Sequence, residues 1–343
     1  NKNSQSQSVD AKELLANSFK SIPIDVDEEI EEVNNFFRIP TTDNLVFTSY
    51  DTETRIPSLY VSNLDLSDIK KIDVDLGEKG ENTEIYYTVT VTSNGSICML
   101  ASISDYGDFE LPDYNDPDFD YENFDYEAME EAKSVKYMLY CFDKDGKKVS
   151  EAEITDYDEY TSADSKELYV ESVTACGDSK IAIHLYGEEE SIVIVNTDGK
   201  IESKLNTDDM AYIMGMGIAA DGSLAVCASG PKGTSINFFD TSTLKATGKK
   251  IDIEQGNFYG QTSLIAGTGD YVLYMSSGSS YSGVKEDGTI DEIINYVDAD
   301  LSQNGVNYIV PIEDEFLVYS NDYSDNSGFF RLTKRDASEL DNL

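Results

Sequence analysis

The chain has 343 residues, 40% of them hydrophobic, enough for two or three domains or for one large all-β domain. Its 25 lysines and arginines face 67 aspartates and glutamates, a net charge of −42. A field of that sign repels phosphate backbones and anionic membranes, which argues against a nucleic-acid partner and against direct membrane contact, and no run approaches the roughly 20 apolar residues that span a bilayer as a helix.

In chain order, the sequence opens on "NKNSQSQSVDAKE", polar and without Met. Residues 1–17 read as a tether left after removal of a targeting segment, so the expected location is extracellular, on a cell-surface lipid anchor. A short helix is expected over 10–19, with Leu14, Leu15 and Phe19 on one side. "SFKSIPIDV" (18–26) then reads as a strand with no hairpin partner of its own, followed by "VDEEIEEVNNFF" (26–37).

From there a pattern recurs. Tight corners, each followed by a strongly apolar strand, fall near residues 43, 94, 177, 221, 269 and 313, in steps of 51, 83, 44, 48 and 44. Each is preceded by a strand, as in "YYTVTV" (86–91), "YVESVTA" (169–175), "YIMGMGIA" (212–219) and "NYIVPI" (307–312). Each of the first five is followed by a second hairpin: 58–76, 137–154, 191–205, 235–253 and 281–296. Asn-Gly and Asp-Gly accept the positive φ of tight turns, and β-branched and aromatic residues suit the flanking pleats. The first three strands of a unit are apolar enough for burial on both faces, whereas the fourth alternates and reads as half exposed. One such unit cannot cover its own two faces; a ring of them can. The expected fold is all-β: a six-bladed β-propeller of four-stranded antiparallel blades over residues 18–343, with 18–26 closing the ring beside 328–334. A seventh blade hidden in 26–37 is the alternative.

The long step holds an acidic insert, 104–131, with twelve carboxylates, seven aromatic rings and no base. It enters between the second and third strands of the second repeat and reads first as a solvated loop. Asp116, Asp118, Asp120, Glu122 and Glu127 also fall at the 1, 3, 5, 7 and 12 spacing of a calcium loop, although Tyr121 stands where the turn wants Gly and Pro117 is awkward. Calcium is therefore a candidate cofactor, with one helical turn or two expected within 127–138.

Cys98, Cys141, Cys176 and Cys227 have no metal-site spacing and read as small buried hydrophobes. Cys98 and Cys141 alone look like neighbours in one sheet, so a disulfide between them is the other reading. His184, the single histidine, lies in an apolar strand with no nucleophile at a diagnostic spacing, and no GxSxG, HExxH or Walker motif is present. Propellers take ligands at the mouth of the central channel. Tyr86, Tyr169, Tyr212, Tyr259 and Tyr308 recur near the start of the inner strand and are candidate rim residues, with packing between blades as the other reading.

The strand, Asp-Gly, strand pattern over about 36–340 resembles the blades of NHL and YVTN-type propellers; WD40 blades do not fit a chain without Trp. The polar start and the ending "RLTKRDASELDNL" resemble the N-terminal region of large lipoproteins of Gram-positive gut anaerobes, where a propeller-like region precedes a solute-binding domain of a transport system. The resemblance implies a monomeric accessory platform beside a solute receptor on the same chain, contacting glycans or a protein partner. The function expected is a non-catalytic binding module. The competing expectation is a polysaccharide hydrolase or lyase, with channel-mouth carboxylates converging on His184.

Overall fold

The computed structural model describes residues 18–336, except 27–29, 31, 51–56, 77–81, 112–119, 121–123, 162–166, 187–189, 209, 254–262, 278, 303–304 and 322–326. The expected tether, and with it Leu14 and Leu15, lies outside the described residues, whereas Phe19 begins a strand rather than ending a helix.

Strand β1 (Phe19–Ile24) precedes the first blade. Blade 1 is β2 (Glu32–Arg38), β3 (Asn44–Tyr50), β4 (Pro57–Asn63) and β5 (Ile69–Ile72); blade 2 is β6 (Thr83–Val91), β7 (Ile97–Asp105), β8 (Ser134–Phe142) and β9 (Lys148–Glu153). Blade 3 is β10 (Val170–Ala175), β11 (Lys180–Leu185), β12 (Ser191–Asn196) and β13 (Ile201–Lys204); blade 4 is β14 (Tyr212–Ile218), β15 (Leu224–Gly230), β16 (Gly233–Phe239) and β17 (Ala246–Ile253). Blade 5 is β18 (Ser263–Ala266), β19 (Tyr271–Ser276), β20 (Ser280–Lys285) and β21 (Ile290–Asn295). Blade 6 takes β22 (Val306–Ile312), β23 (Glu315–Ser320) and β24 (Gly328–Lys334) from the end of the chain and β1 from its start.

All pairings are antiparallel, and six four-stranded sheets form the propeller. β1 pairs with β24 from Phe19↔Lys334 to Ile24↔Phe329, so the spare strand closes the ring as expected. Residues 32–37 supply β2, the innermost strand of blade 1, and no seventh sheet is present among the described residues.

The core lies between blades. One apolar cluster joins each neighbouring pair: Phe47 of blade 1 packs with Leu317 and Phe329 of blade 6, and Val46 and Leu59 of blade 1 with Met99 and Phe142 of blade 2. Leu139 meets Ile183 across blades 2 and 3, Ile194 meets Val226 across blades 3 and 4, Phe238 meets Leu273 across blades 4 and 5, and Tyr281 meets Val318 across blades 5 and 6. Each fully buried side chain of this kind stabilises by roughly 1.5–3 kcal/mol. The outer strands alternate instead, as in β9 and β13, because their second face meets solvent.

The repeated Asp-Gly corner has a second role besides turning. In "NTDG" Asn196 Oδ1 accepts from the backbone N–H groups of Asp198 (3.0 Å) and Lys200 (3.1 Å), and Gly199 takes φ +76°. A Cβ on Gly199 would stand 2.6 Å from the Glu153 carbonyl oxygen, on the outer strand of the preceding blade. The same approach recurs where Gly146 meets Ile72 and Gly288 meets Asp252. Gly199→Ala is therefore expected to destabilise by about 2 kcal/mol, from the left-handed backbone and the displaced neighbour together. Chemical denaturation checks this; an unchanged midpoint would show that the corner does not touch blade 2.

Candidate functional site

All inner strands (β2, β6, β10, β14, β18 and β22) run the same way through the ring. Their starts define a front mouth and their ends, with the tight corners, a rear mouth. Between the mouths lies a central cavity of about 1360 Å³, walled by all six inner strands. The wall is mainly uncharged, with aliphatic side chains such as Met216 and Ile309 beside aromatic and polar ones such as Tyr87 and Asn307, and with Arg38, Glu171 and Glu313 as its charged members.

The front mouth carries the exposed rings. Tyr86, on β6, lines the cavity and is 60% exposed. Tyr169 (47%) immediately precedes β10, and Tyr212 (45%) opens β14. A fourth, Tyr186 (58%), follows β11 and donates its backbone N–H to the Tyr169 carbonyl at 2.8 Å, because β11 returns antiparallel to the mouth where β10 began. Blades 2, 3 and 4 thus present four tyrosines on one side of the opening. Tyr308 lines the cavity too, but it is partly buried against the cluster between blades 6 and 1, and its hydroxyl donates to the Asn34 carbonyl on β2. Burial pushes its phenol up to about 12. Tyr259 lies outside the described residues.

The acidic insert leaves the same mouth, since β7 ends at Asp105 opposite Thr83, the first residue of β6. Its described part contains helix α1 (Tyr126–Ala132), capped by Asp125, whose side chain accepts from the Ala128 N–H at 3.0 Å. The insert is docked at its base. Lys133 Nζ reaches Glu167 of the blade 2–3 connection at 2.5 Å, and Tyr106 donates its hydroxyl to Glu84 at 3.1 Å. Phe109, Phe124 and Tyr126 make edge-on ring contacts at 5.9 and 4.8 Å, so part of the aromatic content serves the insert's own packing. Of the five calcium-spaced carboxylates, Asp116, Asp118 and Glu122 lie outside the described residues, Asp120 is exposed, and Glu127 stands in the first turn of α1. Among the described residues no cluster of three or more His, Cys, Asp or Glu side chains has the arrangement of a metal site.

His184 borders the cavity wall but is 2% exposed. Its Nε2 lies 3.3 Å from Glu190 Oε2, which also accepts the backbone N–H of Ile213 on β14. Glu190 is acceptor-only as a carboxylate, so Nε2 carries the proton and donates. Desolvation by burial lowers the His184 pKa, opposed by the charges of Glu190 and Glu171. The pair joins blade 3 to blade 4 and is a staple between blades. The carboxylates lining the cavity among the described residues are Glu171, near the front mouth, and Glu313, at the rear. At about 3.3 Å of rise per residue they stand more than about 15 Å apart, beyond the roughly 5–10 Å of paired-carboxylate glycosidases. Two hydroxyls of the wall, on Tyr87 and Tyr281, are buried without a hydrogen-bond partner among the described residues.

Two features at this site escape the repeat pattern in the sequence. Tyr186 closes a second strand rather than opening a first, and becomes a rim residue through the β10–β11 register. Glu190 sits in the run "GEEE", which reads as solvated until blade 4 covers it.

No family model and no curated protein matches the chain. Among solved structures it resembles a gluconolactonase from Xanthomonas campestris, with a TM-score of 0.50 and 11% identity over 94% of this chain and 92% of the other. It also resembles a catalytically inactive virginiamycin B lyase from Staphylococcus aureus, with a TM-score of 0.48 and 14% identity over 92% and 99% of the two chains. The Dos1 propeller aligns with a TM-score of 0.47 and 10% identity over 93% and 96%. At such identities the likeness concerns the fold alone, a β-propeller.

Proposed function

We propose that this propeller is an extracytoplasmic, non-catalytic binding module that takes a neutral glycan chain at its front mouth. The reading rests on one observation: the exposed rings of Tyr86, Tyr169, Tyr186 and Tyr212 stand at the front ends of strands in the consecutive blades 2, 3 and 4, beside a cavity lined mainly by uncharged side chains. Exposed tyrosines offer flat apolar faces with a hydroxyl handle, suited to sugar rings, and the strongly negative chain disfavours anionic ligands. His184 is already engaged with Glu190, which supports binding rather than turnover. In this reading the module acts as an accessory platform that holds a glycan for a solute-binding partner.

Titration calorimetry against soluble plant and host polysaccharides tests the site. Tyr86→Ala combined with Tyr186→Ala is expected to weaken binding at least tenfold, about 1.4 kcal/mol, while changing stability by less than about 0.5 kcal/mol. Retained affinity in the double variant would move the site elsewhere, and product release from any glycan would make the protein an enzyme. Rim binding needs no cation, so EDTA is expected to leave both affinity and melting temperature unchanged. A downward melting shift in EDTA would assign calcium to the acidic insert.

A further inference from the structure

Cys98 and Cys141 occupy directly opposed positions on β7 and β8. Their Sγ atoms lie 3.9 Å apart, and both residues are buried in the apolar cluster between blades 2 and 3. Opposed Cα atoms in an antiparallel pair are about 4.5–5.5 Å apart, inside the range of about 4.4–6.8 Å that a disulfide bridges. Bond formation then needs an approach of the two sulfurs by about 1.9 Å, within reach of side-chain rotation, with no backbone movement. The other two cysteines are elsewhere: Cys176 lies in the cluster between blades 3 and 4, and Cys227 in that between blades 4 and 5.

We propose that Cys98 and Cys141 are a cross-linking site, closing an intrachain disulfide across β7 and β8 when the chain folds in the presence of a disulfide oxidant. The inference is independent of the ligand at the front mouth. With oxidised glutathione the step balances as two exchanges. One cysteine thiolate attacks the glutathione disulfide and expels a glutathione thiolate; the second cysteine, deprotonated, attacks that mixed disulfide and expels another. Two thiols lose two protons and two electrons, and one oxidised glutathione becomes two reduced ones. In the folded chain the hydrogen bond with Cys98 draws the Cys141 thiol down to about 7 despite burial, so it is the more readily ionised of the opposed pair. Because the finished fold covers both sulfurs, the exchange belongs to the stage at which β7 and β8 have paired and blade 3 has not yet docked.

The test is to refold the chain with and without oxidised glutathione, unfold it, alkylate it and weigh it. Two alkyl groups are expected after oxidant and four without, with a mapped peptide joining Cys98 to Cys141. The cross-linked form is expected to melt roughly 5 °C higher, since the bridge closes the loop that contains the acidic insert. Cys98→Ala should take three alkyl groups without oxidant and, with it, give no intrachain bridge, Cys141 being either alkylated or held as the unresolved glutathione mixed disulfide; Cys141→Ser is read the same way at Cys98 should the first variant not fold. Four alkyl groups after oxidant, or a bridge involving Cys176 or Cys227, would overturn the proposal.

Discussion

Deletion of residues 1–24 is expected to cost more than about 5 kcal/mol and to make the chain associate with copies of itself, because it reopens the ring. β1 supplies the outermost strand of blade 6, in register with β24 over six residue pairs. Phe19 is buried in the cluster between blades 5 and 6, its ring centroid 5.5 Å from that of Phe316, and its loss alone removes roughly 2–3 kcal/mol. The strand is also tied from both sides. Ser21 N–H donates to the Ala299 carbonyl at 2.9 Å. Arg335 Nε donates to the Phe19 carbonyl at 2.9 Å, while Nη2 reaches the Asp300 carboxylate at 2.8 Å. Without β1, β24 becomes an open edge, a template for pairing with another chain. Against the 5–15 kcal/mol typical of a folded domain this loss is decisive. Calorimetry and light scattering read it. Addition of a peptide spanning 18–26 is expected to restore part of the melting temperature, and an unaltered monomeric melt of the truncated chain would show that β1 is a passenger.

Glu190→Ala is the second large effect, at about 3–5 kcal/mol. The substitution strips the acceptor from two buried donors at once, His184 Nε2–H and the Ile213 N–H, at the seam between blades 3 and 4. Each unsatisfied buried donor costs about 1–3 kcal/mol. Glu190→Gln, which keeps an acceptor oxygen, should lose less. The same pair predicts a pH signature. Burial holds the folded-state His184 pKa below its unfolded value of 6.5, so at acidic pH the unfolded chain binds the proton more readily. Stability contributed by the neutral imidazole is complete above pH 6.5 and is lost as the pH falls through that value towards the folded-state pKa. Every carboxylate responds to acid as well, so the measurement is the difference in unfolding free energy between the wild type and His184→Asn. That difference should shrink between pH 7.5 and 5.5. A constant difference would mean that the imidazole is not desolvated.

The architecture was largely readable because hairpin chemistry is local. An Asp-Gly pair announces its turn from its own backbone preferences, and alternation in β9 and β13 announces one wet face. The long step in the repeat points to an insert between β7 and β8, and the strands carrying Cys98 and Cys141 read as neighbours in one sheet. What stayed hidden depends on a partner distant in sequence. The Tyr308 side chain lines the cavity, but that its hydroxyl is engaged by Asn34, 274 residues earlier, is not legible locally. Glu190 looks like one more solvated acid until Ile213 is laid over it. Gly199 declares its turn but not that Glu153 stands against its missing side chain.

That last contact divides the molecule into two regimes of sequence freedom. At the rear, the outer corners at Gly146, Gly199 and Gly288 are wedged against the preceding sheet, so a longer turn or a larger residue at those three would pry two blades apart. At the front, a connection can swell to hold α1 and its acidic surroundings while β7 and β8 keep their register. New specificity can therefore be grafted onto the tyrosine-bearing side at little cost to folding, whereas the opposite side works as a fixed chassis.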